Sequence, residues 1–561
     1  MSMRGGFVRL TLLVLGALFV VLLVLGTVQR DGQSLQTQLT DVSHATRTRL
    51  RQPPHTTTPP QEPMDKELVQ QLEQELPEVD YSFWYLQAKP NHLRLNGTCA
   101  RYPDPLELQL HNIYWQTFLN ANVTFRLFAA YLDNRVAVKE AVVRVLGTAD
   151  QIGDAFPRTY CQLWYDNNRR PTIVEVSEFV SVWHYSWDHT PHLNYPHLIS
   201  CPLPEKTAAI PRTVSLVRQP CDQAVNSLRV HYEQPASTTA TPPPSGDKLR
   251  FGVCVKGFDF PYIDLSERLI EWFELQRLFG ASRIYAYMYD VHPKVQRVLD
   301  YYQRTGYLQL RPITMANGMP RLRHYQHMLL QERVKVKRLN ELIPYNDCFY
   351  RNMYRHDYIL NVDVDEVIVP LGKQRDWHDV VTGALNPPSA KCADGYAEMC
   401  FFNAYFTNVV PEPHNHEQLE ADDELYVLQH TMRLANYSLP GRATKCFHNT
   451  RYSVALHNHY TLKWLPPVCR TRLMETELAH MQHYREPDNN YTMDNLVEDR
   501  SVWKYATKLR QQVEYVWLHM EDANEQMELE EQKALHELVE EEAEQEKMEE
   551  EVEEESQIAQ S

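Results

Sequence analysis

The stretch "LRFGVCVK" (residues 249–256) decides the fold, because it is a short apolar run bounded by turn residues and reads as a strand. "DLSERLIEWFELQRLFG" (264–280) follows as a helix, with Asp264 and Glu267 at capping-box spacing and Gly280 at its end. "RIYAYMYD" (283–290) is a second strand. "HPKVQRVLDYYQRTG" (292–306) is a second helix, with Pro293 near its start, apolar residues at 295, 298, 299 and 302, and Gly306 after it. "YLQLRPI" (307–313) is a third strand. The order β-α-β-α-β predicts a parallel, right-handed, doubly wound α/β sheet whose ligand site lies beyond the carboxyl ends of its strands.

Further along, "YILNVDVDEVIVP" (358–370) sets three carboxylates inside a run that otherwise reads as a buried strand. An ionised carboxylate buried alone is too costly to persist, so such groups are neutralised, paired or bound to a cation. On an extended strand Asp363 and Asp365 share one face and Glu366 points away. Two like charges on one face repel unless something positive lies between them. A hard divalent cation that also binds substrate phosphates answers that need. The plainer reading caps a turn with one Asp and pairs the other with Lys or Arg.

Outward from this core, the 561 residues predict several segments rather than one domain. Residues 10–28, "LTLLVLGALFVVLLVLGTV", have the length and apolarity of a membrane span and no clear cleavage site follows, which predicts a retained signal anchor behind a cytoplasmic tail (1–9). A cleaved signal peptide is the alternative. Residues 29–80, around "PPHTTTPPQEP", have the composition of a disordered stem. Residues 81–233 alternate short apolar runs with turn residues and predict a β-rich, sandwich-like domain. "QPASTTATPPPSGD" (234–247) is a linker, 248–520 the α/β domain and 521–561 an acidic tail.

The formal charge of −17 is local. Residues 521–555 carry 18 Asp or Glu against Lys533 and Lys547, which leaves about −1 for the rest and gives no footprint for nucleic acid. Ten cysteines divide as four before the linker and six after it, permitting three pairings in the first set and fifteen in the second. No C-x-x-C pair suggests structural zinc. Sequons at Asn96, Asn122, Asn436 and Asn490 agree with a lumenal carboxyl-terminal part.

Several of these pieces, in order and spacing, resemble glycosyltransferase family 92, Golgi type II membrane enzymes with a GT-A (Rossmann-like) nucleotide-sugar domain. They are "GVCVKGF" (252–258), "LIEWFELQRLFGASRIYAYMYD" (269–290), "VLDYYQRTGYLQL" (298–310), "NDCFYR" (346–351), "YILNVDVDEVIVP", Lys445 with "HNH" (457–459), and "HMQHYRE" (480–486). The resemblance implies that Asp363 and Asp365 hold Mn²⁺, or another divalent cation, against a nucleotide diphosphate, with His483 as third ligand. It implies a UDP-sugar donor, galactose as the transferred sugar, inversion at the anomeric carbon and a glycan or glycoprotein acceptor, with fucose or galactose of an N-glycan as candidates. Glu366 is the candidate for orienting the acceptor or a metal-bound water. Lys256, Glu271, Asp290, Lys445 and His457 are candidate substrate contacts. Read without the resemblance, His483 is an ordinary histidine among 24, Glu271 a helix-surface carboxylate and Lys445 a solvated lysine.

Asp422, Asp423 and Glu424 are carboxylates of the kind that serve as general base, and a charged surface turn explains them equally well. A non-catalytic glycan-binding or scaffold protein is the alternative function. A D-x-D phosphohydrolase is a third, but its acids should open the domain rather than come more than a hundred residues into it.

Overall fold

The computed structural model describes residues 66–520, apart from 88–98, 100, 154, 167–169, 188, 205–208, 234–247, 317–321, 387–389, 410–424 and 489. The expected cytoplasmic tail and span (1–28), stem residues 29–65, the linker, the acidic tail, Asn96 and the trio Asp422, Asp423 and Glu424 lie outside the described residues. Among the described residues no helix is long and apolar enough to cross a membrane.

The stem expected to reach residue 80 stops short of it. Helices α1 (Lys66–Glu75) and α2 (Tyr81–Gln87) lead into the β-rich part, and the link between them is buried. Glu78 and Asp80 are 7% and 2% exposed. Arg351 pairs with Glu78 at 2.7 Å and Arg212 with Asp80 at 2.8 Å, and Phe83 packs edge-on to Tyr102. Composition read as a stem because helix α1 buries no residue of its own; long-range partners order the residues after it.

The ten strands between Leu110 and His231 make two layers. One holds Leu110–Asn112, Trp115–Asn120, Val123–Asp133, Val142–Ala149, Tyr195–Pro202 and Glu178–Ser181. The other holds Thr172–Glu175, Tyr160–Trp164 and Thr213–Val217, and Leu228–His231 joins it to the end of Val123–Asp133. Phe125, Leu127, Val143, Leu163 and Leu216 fill the space between, and the Cys161–Cys201 disulfide links a strand of each layer.

Counting strands afresh from residue 251, the α/β part runs β1 (Phe251–Phe260), α3 (Ser266–Phe279), β2 (Ala281–Val291), α4 (Pro293–Arg304), β3 (Leu308–Pro312), α5 (Arg323–Glu332), α6 (Val334–Asn352) and β4 (Tyr358–Val362). It continues with β5 (Glu366–Pro370), α7 (Trp377–Leu385), β6 (Tyr396–Phe401), β7 (Asn403–Phe406), α8 (Tyr426–Gln429), β8 (Met432–Leu434), β9 (Lys445–Asn449), β10 (Ser453–Leu456), β11 (Thr461–Trp464), β12 (Cys469–Leu473), β13 (Ala479–Tyr484) and β14 (Leu496–Glu498). The first four strands are parallel in the order β3-β2-β1-β4, and β9 extends them antiparallel. Gly280 ends α3 at φ 110° and Pro293 opens α4, both where their backbone preferences put them. The capping box does not form: Leu265 is the cap, and the Asp264 carboxylate accepts from the backbone N–H and hydroxyl of Ser266. Val253, Val255, Leu269, Phe273, Ile284 and Leu360 pack helix on sheet.

The two parts share a core. Trp115, Tyr131, Leu146 and Trp183 of the β-rich part sit in one buried cluster with Tyr287, Leu342, Phe349 and Ala455 of the α/β part. The Trp115 indole donates to the Thr314 carbonyl at 2.9 Å, and Arg135 donates to the Thr450 and Ser453 carbonyls at 2.6 and 2.7 Å. All ten cysteines are paired, two disulfides in the first part and three in the second.

Candidate functional site

Residues 358–370 are not one strand. β4 ends at Val362 in the main sheet, β5 begins at Glu366 in a second sheet beside β13, and Asp363–Asp365 form the turn between them. The expectation that Glu366 points away from the two aspartates is therefore wrong. Because the chain changes sheets, the Glu366 carboxylate folds back and accepts the Asp363 backbone N–H at 2.8 Å. The carboxyl ends of β1 and β4 bring this turn to the place a doubly wound sheet reserves for ligands.

Two lysines enter the turn. Lys256 on β1 lies 3.1 Å from one Asp363 oxygen and 3.0 Å from Glu341 on α6, and the Tyr345 hydroxyl donates to the same Asp363 oxygen at 3.0 Å. Lys445 on β9, fully buried, lies 3.0 Å from Glu366, 3.7 Å from the second Asp363 oxygen, and donates to the Asn458 side chain. Burial opposes ionisation of Asp363, yet Lys256 and Lys445 outweigh it and hold the carboxyl far below the usual carboxylate range. Burial pushes Glu366 up.

His483 faces the turn from β13, in register with Glu366 and stacked on Tyr405 at 5.1 Å between ring centres. Its Nε2 lies 3.5 Å from Asp365, while its Nδ1 is buried with no hydrogen-bond partner and stands 3.8 Å from Glu366. Burial works against a charged imidazole here, but Asp365 and Glu366 win and raise its pKa; the same imidazole holds Asp365 low.

A cleft of about 780 Å³ opens over this group. Lys256, Asp259, Arg268, Lys337, Asp365 and His483 contribute to its wall. Arg268 lies 3.9 Å above the Tyr426 ring and so stands fixed at the rim. Asp259 accepts from His327 at 3.0 Å and burial raises its pKa.

The other sequence candidates are dispersed. Glu271 is buried on α3 and spends its carboxylate on the backbone N–H groups of Tyr426 and Val427, at 2.9 and 3.1 Å, so it positions the wall segment rather than a substrate. Burial pushes its pKa up to about 7. Asp290 lies on β2 and His457 between β10 and β11, and neither lines the cleft. Asn122, Asn436 and Asn490 are exposed.

Carboxylate oxygens from Asp363 and Asp365 with an imidazole nitrogen from His483 make a donor set suited to a divalent cation. The charge agrees. Asp363, Asp365, Glu366 and Glu341 outnumber the basic groups set against them, Lys256, Lys445 and the imidazole of His483. Among the described residues, the cluster whose donor atoms all lie within 4.8 Å is Glu398, Cys400 and Cys446, but a disulfide joins the two cysteines and removes their thiolates. The donors at the turn are spread wider than that.

Sequence reading missed Glu341, Tyr345, Arg268 and Asn458. Asn458 stands inside the HNH string without having been singled out; for Glu341 and Tyr345, four apart on α6, phase is the cue that puts both on a single helix face.

No curated protein matches the chain. The family description "Glycosyltransferase family 92" matches residues 250–530, half of the chain and all of the cleft. The chain belongs to glycosyltransferase family 92.

Proposed function

We propose that this glycosyltransferase moves galactose from UDP-galactose to a glycan acceptor with inversion at the anomeric carbon, and that it requires a divalent cation, Mn²⁺ in the first instance. The observation that carries the reading is the acidic turn Asp363–Glu366, with more carboxylates than basic partners and open to a cleft at the strand ends. Asp365, His483 and the Asp363 oxygen turned to Lys445 would hold the cation. When bound, it supplies positive charge against the diphosphate as the sugar leaves.

The chain's own groups do the rest. Lys256 and Tyr345 fix Asp363, and Lys445 fixes Glu366, so that neither carboxylate must reorient during turnover. Arg268, held on Tyr426, and Lys337 face the cleft as donors for diphosphate oxygens. The nucleotide-sugar domain is of GT-A type on this reading, anchored through residues 10–28 with its folded part in the Golgi lumen. Ten paired cysteines and three exposed sequons support an oxidising compartment.

A donor screen tests it. The full-length chain in detergent, given each UDP-sugar with Mn²⁺ and galactose- or fucose-terminated N-glycans, should extend the glycan from UDP-galactose and stop on chelation. Folded protein that transfers no sugar from any of them overturns the reading; transfer that survives chelation overturns the cation.

A further inference from the structure

We infer that Trp187 of the β-rich part and the 457–460 turn of the α/β part form a stacking platform for a sugar ring of the acceptor glycan, outside the donor cleft. The inference rests on the transferase reading for its choice of glycan. Trp187 stands 4.8 Å from the His457 ring and 6.1 Å from Tyr460, and His457 stacks on Tyr460 at 5.1 Å. Trp183 meets Trp187 edge-on at 5.3 Å, and its indole donates to the Trp187 carbonyl at 3.2 Å, which fixes the loop. The Arg470 guanidinium lies 5.0 Å above Tyr460 and 5.6 Å above Trp464. Trp187, Tyr460 and Trp464 are each half-buried rather than sealed in the core.

The platform is tied to the reacting centre from both sides. Asn458, inside the turn, accepts from Lys445, which in turn holds Glu366 at 3.0 Å. On the other flank the Lys335 ammonium donates to Thr190 at 2.6 Å, two residues before Lys337 in the cleft wall. Trp187, His457 and Tyr460 do not line the cleft themselves, so they suit a more distant ring of an extended acceptor rather than the reacting sugar. Aromatic faces edged by imidazole and guanidinium match a pyranose, whose C–H face is apolar and whose rim carries hydroxyls.

The probe is a galactose-terminated biantennary N-glycan, titrated without donor into the full-length chain, W187A, W187F and Y460A, with binding read by saturation-transfer NMR and folding by thermal midpoint. W187A and Y460A should each weaken binding roughly three- to tenfold, and W187F should restore most of it. Absence of binding by the wild type overturns the platform, as does wild-type affinity in both alanine variants. Y460A decides if W187A fails to fold. Binding lost with Trp187 in a chain that transfers no sugar would sink the transferase reading and keep the platform; transfer with the glycan KM unmoved in both variants would sink the platform alone.

Discussion

Two buried charge clusters in this molecule both set Asp and Glu against basic side chains, with Tyr and His beside them, and end differently. At the seam between the β-rich and α/β parts, Arg351 pairs with Asp347 at 2.8 Å and Glu78 at 2.7 Å, and the hydroxyls of Tyr131 and Tyr287 complete Asp347. Both Asp347 oxygens are bonded, and His231 takes the second oxygen of Glu78 at 2.7 Å. At the acidic turn, four carboxylates face two lysines, and His483 keeps an unbonded buried nitrogen. The seam is closed and the turn is open. Burial and charge are common to both; incomplete bonding beside a cleft distinguishes the one proposed as the reacting site.

The sharpest way to break this contrast is at the seam. Arg351→Met should cost about 3–5 kcal/mol by leaving Glu78 and Asp347 buried without their cation. Chemical denaturation would measure it, and a loss under about 1 kcal/mol would mean that the seam is not sealed by charge. At the turn the damage should fall on activity. Asp365→Asn is expected to lower transfer on the order of 100-fold or more, while the thermal midpoint falls only modestly, the lost pair with His483 being partly offset by relief of repulsion from Asp363. Wild-type turnover in that variant removes the site assignment.

Glu271 sharpens the comparison from between, since its carboxylate bonds two backbone N–H groups and feels Arg268 only at a distance. Its folded-state pKa is raised from 4.5 to about 7, so the neutral acid is the form that folding favours. The contribution is complete below about pH 4.5 and is lost as pH rises through 7, up to about 3 kcal/mol in all. Stability curves of the wild type and Glu271→Gln should therefore diverge across that window; parallel curves would show that Glu271 ionises freely. Smallest of all, Glu175→Gln should leave the thermal midpoint in place, because its pair with Arg158 is open to solvent.

The first parallel strands of the α/β part were legible because they alternate with helices punctuated by Gly280 or Pro293, although β3 buries Leu308 alone. The acidic turn was legible in composition but not in conformation. A period of two assumes that the strand continues, and nothing within residues 358–370 says that β5 will leave β4's sheet to pair with β13, more than a hundred residues later. Lys256 and Lys445 stand among the candidate substrate contacts; their partners in the fold are the carboxylates, a choice fixed by distances across the sheet. The seam was invisible for the same reason. Glu78 sits where composition says stem, and its partner arrives far along the chain.

That last separation shapes how the chain is made. Glu78 emerges from the ribosome 273 residues ahead of Arg351, an interval on the order of tens of seconds of translation. Throughout it the amino-terminal helices and the strands after them lack the side chain that locks them down. The first third of this protein must be sheltered during synthesis, and nascent chains cut short before Arg351 should be held by chaperones rather than released.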